Sequence, residues 1–443
     1  MIKKEESRRD FIKKSSLFTA GVAFSGSAMS YSRIMGANDR MNVGVTGIRS
    51  RGRALTGTVL SANNTRVMAL CDVDQNVLEK VTKEVAGNQG SGPSQFRDFR
   101  EMIELKDLDA VVIASPDHTH TPFSVYALQN DKHVYVEKPL SHNMAEGQLL
   151  VEAQKKYGKV VQVGNQQRSA PTSMQAVKDI KAGIIGDVHT AKAWYSNARG
   201  GIGTGKVVSV PDWLDWDLYQ GPAPRTTYRD NIVHYNWHWF WRWGTGEINN
   251  NGLHELDICR WALGVDTPMT VSSTGGRYYF DDDWEFYDTQ NAVFEFAGNK
   301  IISWEGHSCN NKQLFNRGRG SLIYGTEGTI LLDRNGYFAY NRRGELIKEM
   351  KEEEKSATTD IVGAGSLVDY HFDNFLGAVR EDKQLNSPVS DINFSNQMCH
   401  LGNMAQEAGV KLEIDEKTGK VKNSKKAMEL WSREYEKGWE PKI

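Results

Sequence analysis

The sequence predicts an α/β protein: a doubly wound parallel sheet, followed by an α+β domain with a large, mainly antiparallel open sheet. Three observations carry this. MNVGVTGIRSRG, residues 41–52, joins an alternating apolar run to a glycine turn and then to a helix-forming stretch, residues 54–60. Residues 41–164 keep alternating short apolar runs with helical stretches, the βαβ pattern of a parallel sheet. From about 166 to 360 the pattern becomes period-two runs joined by glycine-containing turns such as Ala297-Gly298-Asn299 and Gly325-Thr326-Glu327-Gly328.

Composition sets the frame. The 443 residues suggest two domains, and 39% hydrophobic residues can fill a large core. Net charge is −2 and no basic tract stands out beyond the N-terminus, so nothing asks for nucleic acid. The four cysteines lie far apart without a C-x-x-C pair, which suggests neither a zinc site nor a disulfide framework.

Residues 1–37 read as a leader. Ser7-Arg8-Arg9-Asp10-Phe11-Ile12-Lys13-Lys14 precedes a modestly apolar stretch from Leu17 to Met29. This has the form of a twin-arginine export signal, which implies a periplasmic protein. The stretch is too short and polar for a membrane span, so none is expected after cleavage. Such signals carry folded proteins, and a cofactor loaded before export must stay tightly bound.

Residues 38–165 form the expected Rossmann-type dinucleotide-binding domain. Strand 41–46 runs into Gly47-Ile48-Arg49-Ser50-Arg51-Gly52 and a helix N-terminus, where free N–H groups and the helix dipole favour a phosphate. Arg49 replaces the middle glycine of G-x-G-x-x-G. A second strand, Arg66–Cys71, ends in Asp72, 20 residues after Gly52. A carboxylate there accepts the adenosine ribose hydroxyls and repels a 2′-phosphate, favouring NAD over NADP. Strand 109–115 delivers Ser115-Pro116-Asp117-His118-Thr119-His120 to its carboxyl end, where open α/β sheets bind ligands. Helix 122–129, strand 132–137 with Lys138-Pro139 at its end, helix 145–157 and strand 159–164 complete the domain.

Residues 166–360 form the expected second domain, with strands at 188–195, 270–280, 291–296, 300–307, 321–324 and 329–333. Six tryptophans crowd residues 212–243; most are expected to pack, and one or two to line a sugar pocket. Asn249-Asn250-Asn251-Gly252 leads into a helix through Trp261, on which His254, Asp257 and Trp261 share a face. Asp257 can hold the His254 ring in one tautomer for proton transfer, or simply satisfy a core histidine. Lys348–Lys355 reads as a solvated charged run. Residues 361–443 form a helical C-terminal segment that packs back, with amphipathic helices at 369–379 and 393–409.

These motifs together, with Cys71-Asp72, Glu137-Lys138-Pro139, Gly164-Asn165-Gln166-Gln167-Arg168, Trp237-His238-Trp239-Phe240-Trp241 and residues 252–261, resemble the Gfo/Idh/MocA family of glucose–fructose and inositol oxidoreductases. The resemblance implies that Gly47, Ile48, Arg49, Gly52, Asp72, Ser115, His118, His120, Glu137 and Lys138 bind NAD. It places Lys138 beside the nicotinamide and makes His254 the proton acceptor. It implies substrate contacts from Gln166, Arg168, Trp237, His238, Asn250, His254 and Asp257, and a homo-oligomer built on the open sheet. Asn250 stands where the inositol-type enzymes carry Asp; Asn orients a hydroxyl but cannot relay a proton. The implied activity is hydride transfer from a carbinol carbon of a sugar, glycoside or polyol, with C3 of a glucoside as the specific form. Two alternatives are a redox-neutral glycosidase, with Tyr195, Tyr219 and Tyr235 as candidate acid/bases, and a non-catalytic sugar-binding protein. No metal is expected.

Overall fold

The computed structural model describes residues 40–352 and 366–443. The leader over residues 1–37 lies outside them, as does the end of the charged run at 353–355. Strands β1 (Met41–Thr46), β2 (Thr65–Cys71), β3 (Ser94–Phe96), β4 (Ala110–Ile113), β5 (His133–Val136) and β6 (Val161–Val163) form a parallel sheet in the order β3-β2-β1-β4-β5-β6. Residues 110–113 are wholly buried, as a strand covered on both faces requires.

The connecting helices are α1 (Arg51–Ser61), α2 (Gln75–Gln89), α3 (Phe99–Met102), α4 (Asp117–Gln129) and α5 (Met144–Tyr157). Asp74 caps α2 by accepting from the Asn76 and Val77 amides, and Asn143 caps α5 through the Glu146 amide. Helix α4 starts at Asp117, earlier than the sequence suggests, with Pro122 inside it. Proline removes the amide that would reach the His118 carbonyl, and the Arg433 guanidinium donates there instead.

After α6 (Pro171–Lys181) the second sheet begins with β7 (Val188–Ser196). Past α7 (Trp216–Gln220) and α8 (Leu253–Leu263) come β8 (Thr270–Gly276), β9 (Thr289–Phe296), β10 (Lys300–His307), β11 (Arg319–Gly325), β12 (Gly328–Asp333), β13 (Gly336–Asn341) and β14 (Leu346–Lys351). With β15 (Leu412–Glu413) they give nine strands in the order β14-β13-β12-β11-β7-β10-β9-β8-β15. Among the described residues of this sheet only β7 and β10 pair in parallel. Residues 348–351 of the charged run are solvated as expected, and they form part of β14, an exposed edge strand whose lysines suit an edge that must not recruit another chain. Strand β8 stops at Gly276, short of Phe280, because Arg277 turns to pair with Asp282 and to donate to the Trp284 carbonyl.

Helix α9 (Ser366–Glu381) lays Phe372 and Phe375 edge-on to Tyr135 of β5. Helix α10 (Val389–Ala408) joins both cores: Val389 and Ile392 pack with the parallel sheet, and Met398, Cys399 and Leu401 with the nine-stranded one. Among the described residues no helix is long and apolar enough to cross a membrane.

Candidate active site

In the parallel sheet the strand order reverses between β1 and β4, so their crossovers leave in opposite directions and open a crevice at the carboxyl ends. There lies a cleft of about 770 Å³, closed on its other side by ends of β7, β11 and β12 and by residues 195–254. Gly47 has φ +74°, and a Cβ there would lie 2.4 Å from the Ser115 amide nitrogen, so only glycine fits where β1 and β4 part. A Cβ on Gly52 would lie 2.1 Å from the Gly47 carbonyl oxygen. The tight turn therefore brings α1 against β1; no side chain caps the helix and no acid occupies its first turn. Arg49 lines the cleft, while Arg51 pairs with Glu137 at 2.8 Å.

Asp72 lines the same end. Its carboxylate accepts from the Ile48 amide at 2.8 Å and the Asp74 amide at 2.9 Å, so it also holds the turn in shape. Burial raises its pKa to about 6, against the pull of those two amides. These glycines, the helix start without a side-chain cap and the carboxylate fit a dinucleotide. A strap from the second half of the chain closes over this end: the Gln75 amide donates to the Trp213 carbonyl, the Asp215 amide to that of Val73, and His234 pairs with Asp74 at 2.8 Å. Trp439 closes it from the C-terminus, stacked on Phe123.

At the other end Lys138 and His254 face the cleft together. The Lys138 Nζ donates to the Asn250 carbonyl at 2.6 Å and to its side-chain Oδ1 at 3.2 Å. Asn250 lies in a π-helical turn, Ile248–Gly252, that leads into α8 and sets it one helical turn from His254. A Cβ on Gly252 would lie 2.9 Å from the Trp304 ring, which lets this turn pack close to the sheet. Burial lowers the Lys138 pKa despite the nearby Asp117 and Glu137 carboxylates. The His254 pKa is pushed well down, by burial first and then by Arg334, so the ring is neutral and free to accept a proton. His238, stacked on Trp237 with centroids 3.6 Å apart, is held at about 3 by burial.

His120, Ser115, Glu137, Gln166, Trp237 and His238 also line the cleft. The ring nitrogens of His120 lie 2.7 Å from the Ser115 carbonyl and 2.6 Å from that of Pro139, so it ties α4 to both strand ends. Gln166 donates to Glu137 and to the Tyr135 hydroxyl, both at 2.9 Å.

Several of the expected site residues do not line the cleft. His118 is fully buried, its Nε2 3.0 Å from the Tyr219 carbonyl, because the first turn of α4 points it away from the crevice. Ile48 is a core side chain. Arg168 and Asp257 do not line the cleft. They pair at 2.8 Å through both carboxylate oxygens, with Asp391 and Ser395 as further partners. Asp257 thus holds Arg168, and among the described residues no hydrogen bond joins it to His254. Most of the aromatic segment packs: Trp216, Tyr219, Tyr228, Phe240 and Trp243 form one buried cluster, and Trp239 stacks on Trp284.

Sequence reasoning missed Arg199, Arg319 and Arg334 and named Asp117 only as part of a ligand-facing strand end; all four are in the cleft wall. Asp117 accepts from the Thr245 hydroxyl at 2.6 Å. Arg199 pairs with Glu247 and Arg319 with Glu255, each at 2.7 Å. The only available signal was Arg334-Asn335-Gly336, a hairpin-turn pattern between two apolar runs. Among the described residues no group of three or more His, Cys, Asp or Glu side chains could hold a metal ion.

Two profiles of one family match this chain: the NAD-binding Rossmann fold of the Gfo/Idh/MocA oxidoreductases over residues 41–165, and the C-terminal alpha/beta domain over residues 184–331. An inositol 2-dehydrogenase of Rubrobacter xylanophilus is 32% identical over 37% of this chain and 46% of its own length. A glycosyl hydrolase family 109 protein of Saccharopolyspora erythraea is 24% identical over 51% of this chain and 55% of its own. The chain thus spans about half the length of these relatives. The structure of a levoglucosan dehydrogenase in complex with NADH shares the fold, with a TM-score of 0.66 at 16% identity, covering 85% of this chain and all of that one. With both domains matched in order over more than half of its length, and the two sheets in place, the chain belongs to the Gfo/Idh/MocA oxidoreductase family, with an NAD-binding Rossmann domain.

Proposed function

We propose that this protein oxidises a carbinol carbon of a sugar, glycoside or polyol with NAD. The observation that carries this is Lys138 and a neutral His254 facing one cleft whose other end is the glycine turn. NAD, when bound, supplies the hydride acceptor. Lys138, held by Asn250, donates a hydrogen bond to the reacting hydroxyl oxygen and stabilises the charge that develops there. His254 takes the hydroxyl proton. Trp237 and His238 offer a ring face and a polar edge to the sugar. Asp72 accepts the ribose hydroxyls, which favours NAD over NADP, and the strap over the nucleotide end supports tight retention. Retention suits a protein exported by the twin-arginine route to the periplasm. The outer face of the nine-stranded sheet bears the exposed apolar side chains Val293, Ile301 and Tyr324, which supports a homo-oligomer.

A second reading is a glycosidase that oxidises, eliminates and restores the sugar with one resident cofactor. The glycosyl hydrolase family 109 relative favours it, as does the Tyr195 hydroxyl, which accepts from Asn197 and Arg199 in the cleft wall. One experiment separates the two. The purified protein is denatured and its released nucleotide identified, and native protein is given free sugars, polyols and aryl glycosides. A lasting rise at 340 nm with a free sugar or polyol supports the dehydrogenase. Phenol release without net NADH supports the glycosidase. Absence of any dinucleotide refutes both and leaves a sugar-binding protein.

A further inference from the structure

We propose that the substrate of this cleft carries a carboxylate and that Arg334 binds it. Arg334 and Asn335 form the two-residue turn between β12 and β13, whose flanks Asp333 and Gly336 pair directly. The turn is rigid: the Asp333 carboxylate accepts from the Asn335 amide at 2.8 Å and pairs with Arg317. It places Arg334 in the cleft wall with Lys138 and His254.

Arg199, Arg317 and Arg319 at this end each have a carboxylate partner, Glu247, Asp333 and Glu255. Arg334 has none: among the described residues it makes no hydrogen bond or ion pair. Burial, with the charge of Arg319 added, lowers its pKa from 12.5 to about 9. A guanidinium stays charged at neutral pH even so. Glu255 lies near enough to act on its charge but is spent on Arg319, and a partly buried cation with no ion-pair partner of its own is costly unless a ligand completes it.

The chemistry beside it points the same way. Arg334 is the charge that most lowers the basicity of His254, which handicaps a proton acceptor acting on a neutral sugar. A substrate carboxylate would cancel that charge and restore the base as the substrate docks. One open guanidinium matches one carboxylate, which it grips through two parallel N–H donors. A sugar acid of the uronate type fits.

The carboxylate contact deepens the reading of the cleft as a sugar oxidoreductase site, and it is tested by binding rather than turnover. Calorimetric titration of the full chain would compare glucuronate, galacturonate and mannuronate with the matching neutral hexoses and with glucose 6-phosphate, in wild type, Arg334→Ala and Arg334→Lys. At least one uronate should bind tenfold or more tighter than its neutral partner. Arg334→Ala should lose that preference, and Arg334→Lys should regain part of it. The unfolding midpoint of Arg334→Ala should not fall by more than the small packing loss of a partly buried stem, since no hydrogen bond or ion pair is lost, and its nucleotide content should match wild type. The proposal is overturned if no uronate binds, if the preference survives in Arg334→Ala, if the phosphate binds tighter than every uronate, or if Arg334→Ala loses nucleotide. Arg334-dependent uronate binding with no change at 340 nm would uphold the contact and refute the dehydrogenase reading instead.

Discussion

Asp257→Asn should unfold the protein more easily and leave its chemistry nearly intact. The Arg168 and Asp257 side chains are 4% and 2% exposed and meet through two bonds of 2.8 Å. Breaking a buried pair from one side costs about 3–5 kcal/mol, because the remaining charge stays out of water. Here the loss falls near the lower end, since Arg168 keeps Asp391 at 2.9 Å and an asparagine can still accept from Ser395. About 3 kcal/mol at a urea m-value of about 3 kcal/mol/M moves the midpoint by about 1 M. The sign with pH follows from the Asp257 pKa. Burial would raise it, but Arg168 overcomes that and holds it below the usual carboxylate range. The stabilisation is therefore present above about pH 4 and disappears as pH falls through the lowered pKa. The gap between wild type and variant should be flat from pH 5 to 8 and close in acid. Replacing both partners with apolar residues should recover much of the loss. Urea melts followed by tryptophan fluorescence, paired with turnover at 20 °C, make the test. A variant with an unchanged midpoint but turnover reduced a hundredfold would show Asp257 orienting His254, and the structural reasoning would fail.

Three further outcomes are expected. Lys138→Ala should lower turnover by about 10²–10³-fold with bound nucleotide unchanged, since one preorganised donor aimed at developing charge is worth that much; near-normal rates would remove Lys138 from the chemistry. Asp72, raised to about 6, should lose its grip on the ribose hydroxyls as pH drops below 6, so NAD affinity measured by fluorescence titration should fall from pH 7 to 5 in wild type and not in Asp72→Asn. The same raised pKa means that Asp72 takes up a proton on folding between about pH 4 and 6, so its contribution to apo-protein stability declines as pH rises through 6. Gly52→Ala should release the nucleotide, because its Cβ would lie 2.1 Å from the Gly47 carbonyl oxygen, whereas Gly57→Ala on the same helix, with nothing within 4 Å, should keep it and add up to about 1 kcal/mol of stability.

The sequence by itself determined the elements whose rules are local. Alternating runs, glycines at the turn and a carboxylate 20 residues later mark the first sheet and its phosphate corner, because backbone sterics and burial on two faces leave few alternatives. Lys138 and Asn250 were legible as motif positions, and the structure shows them joined across 112 residues. Tertiary structure alone decided which face each side chain presents. His118 and His120 are two residues apart on one helix, and the turn of α4 buries the first and brings the second to the cleft. Arg168 and Asp257 stand in the motifs of Gln166 and His254 but spend their charges on each other, a pairing that depends on β6, α8 and α10 converging. Arg334 looks like any turn arginine in the sequence. Its lack of a partner follows only from where Glu247, Glu255 and Asp333 already point, and that is a property of the assembled charges, which no spacing encodes.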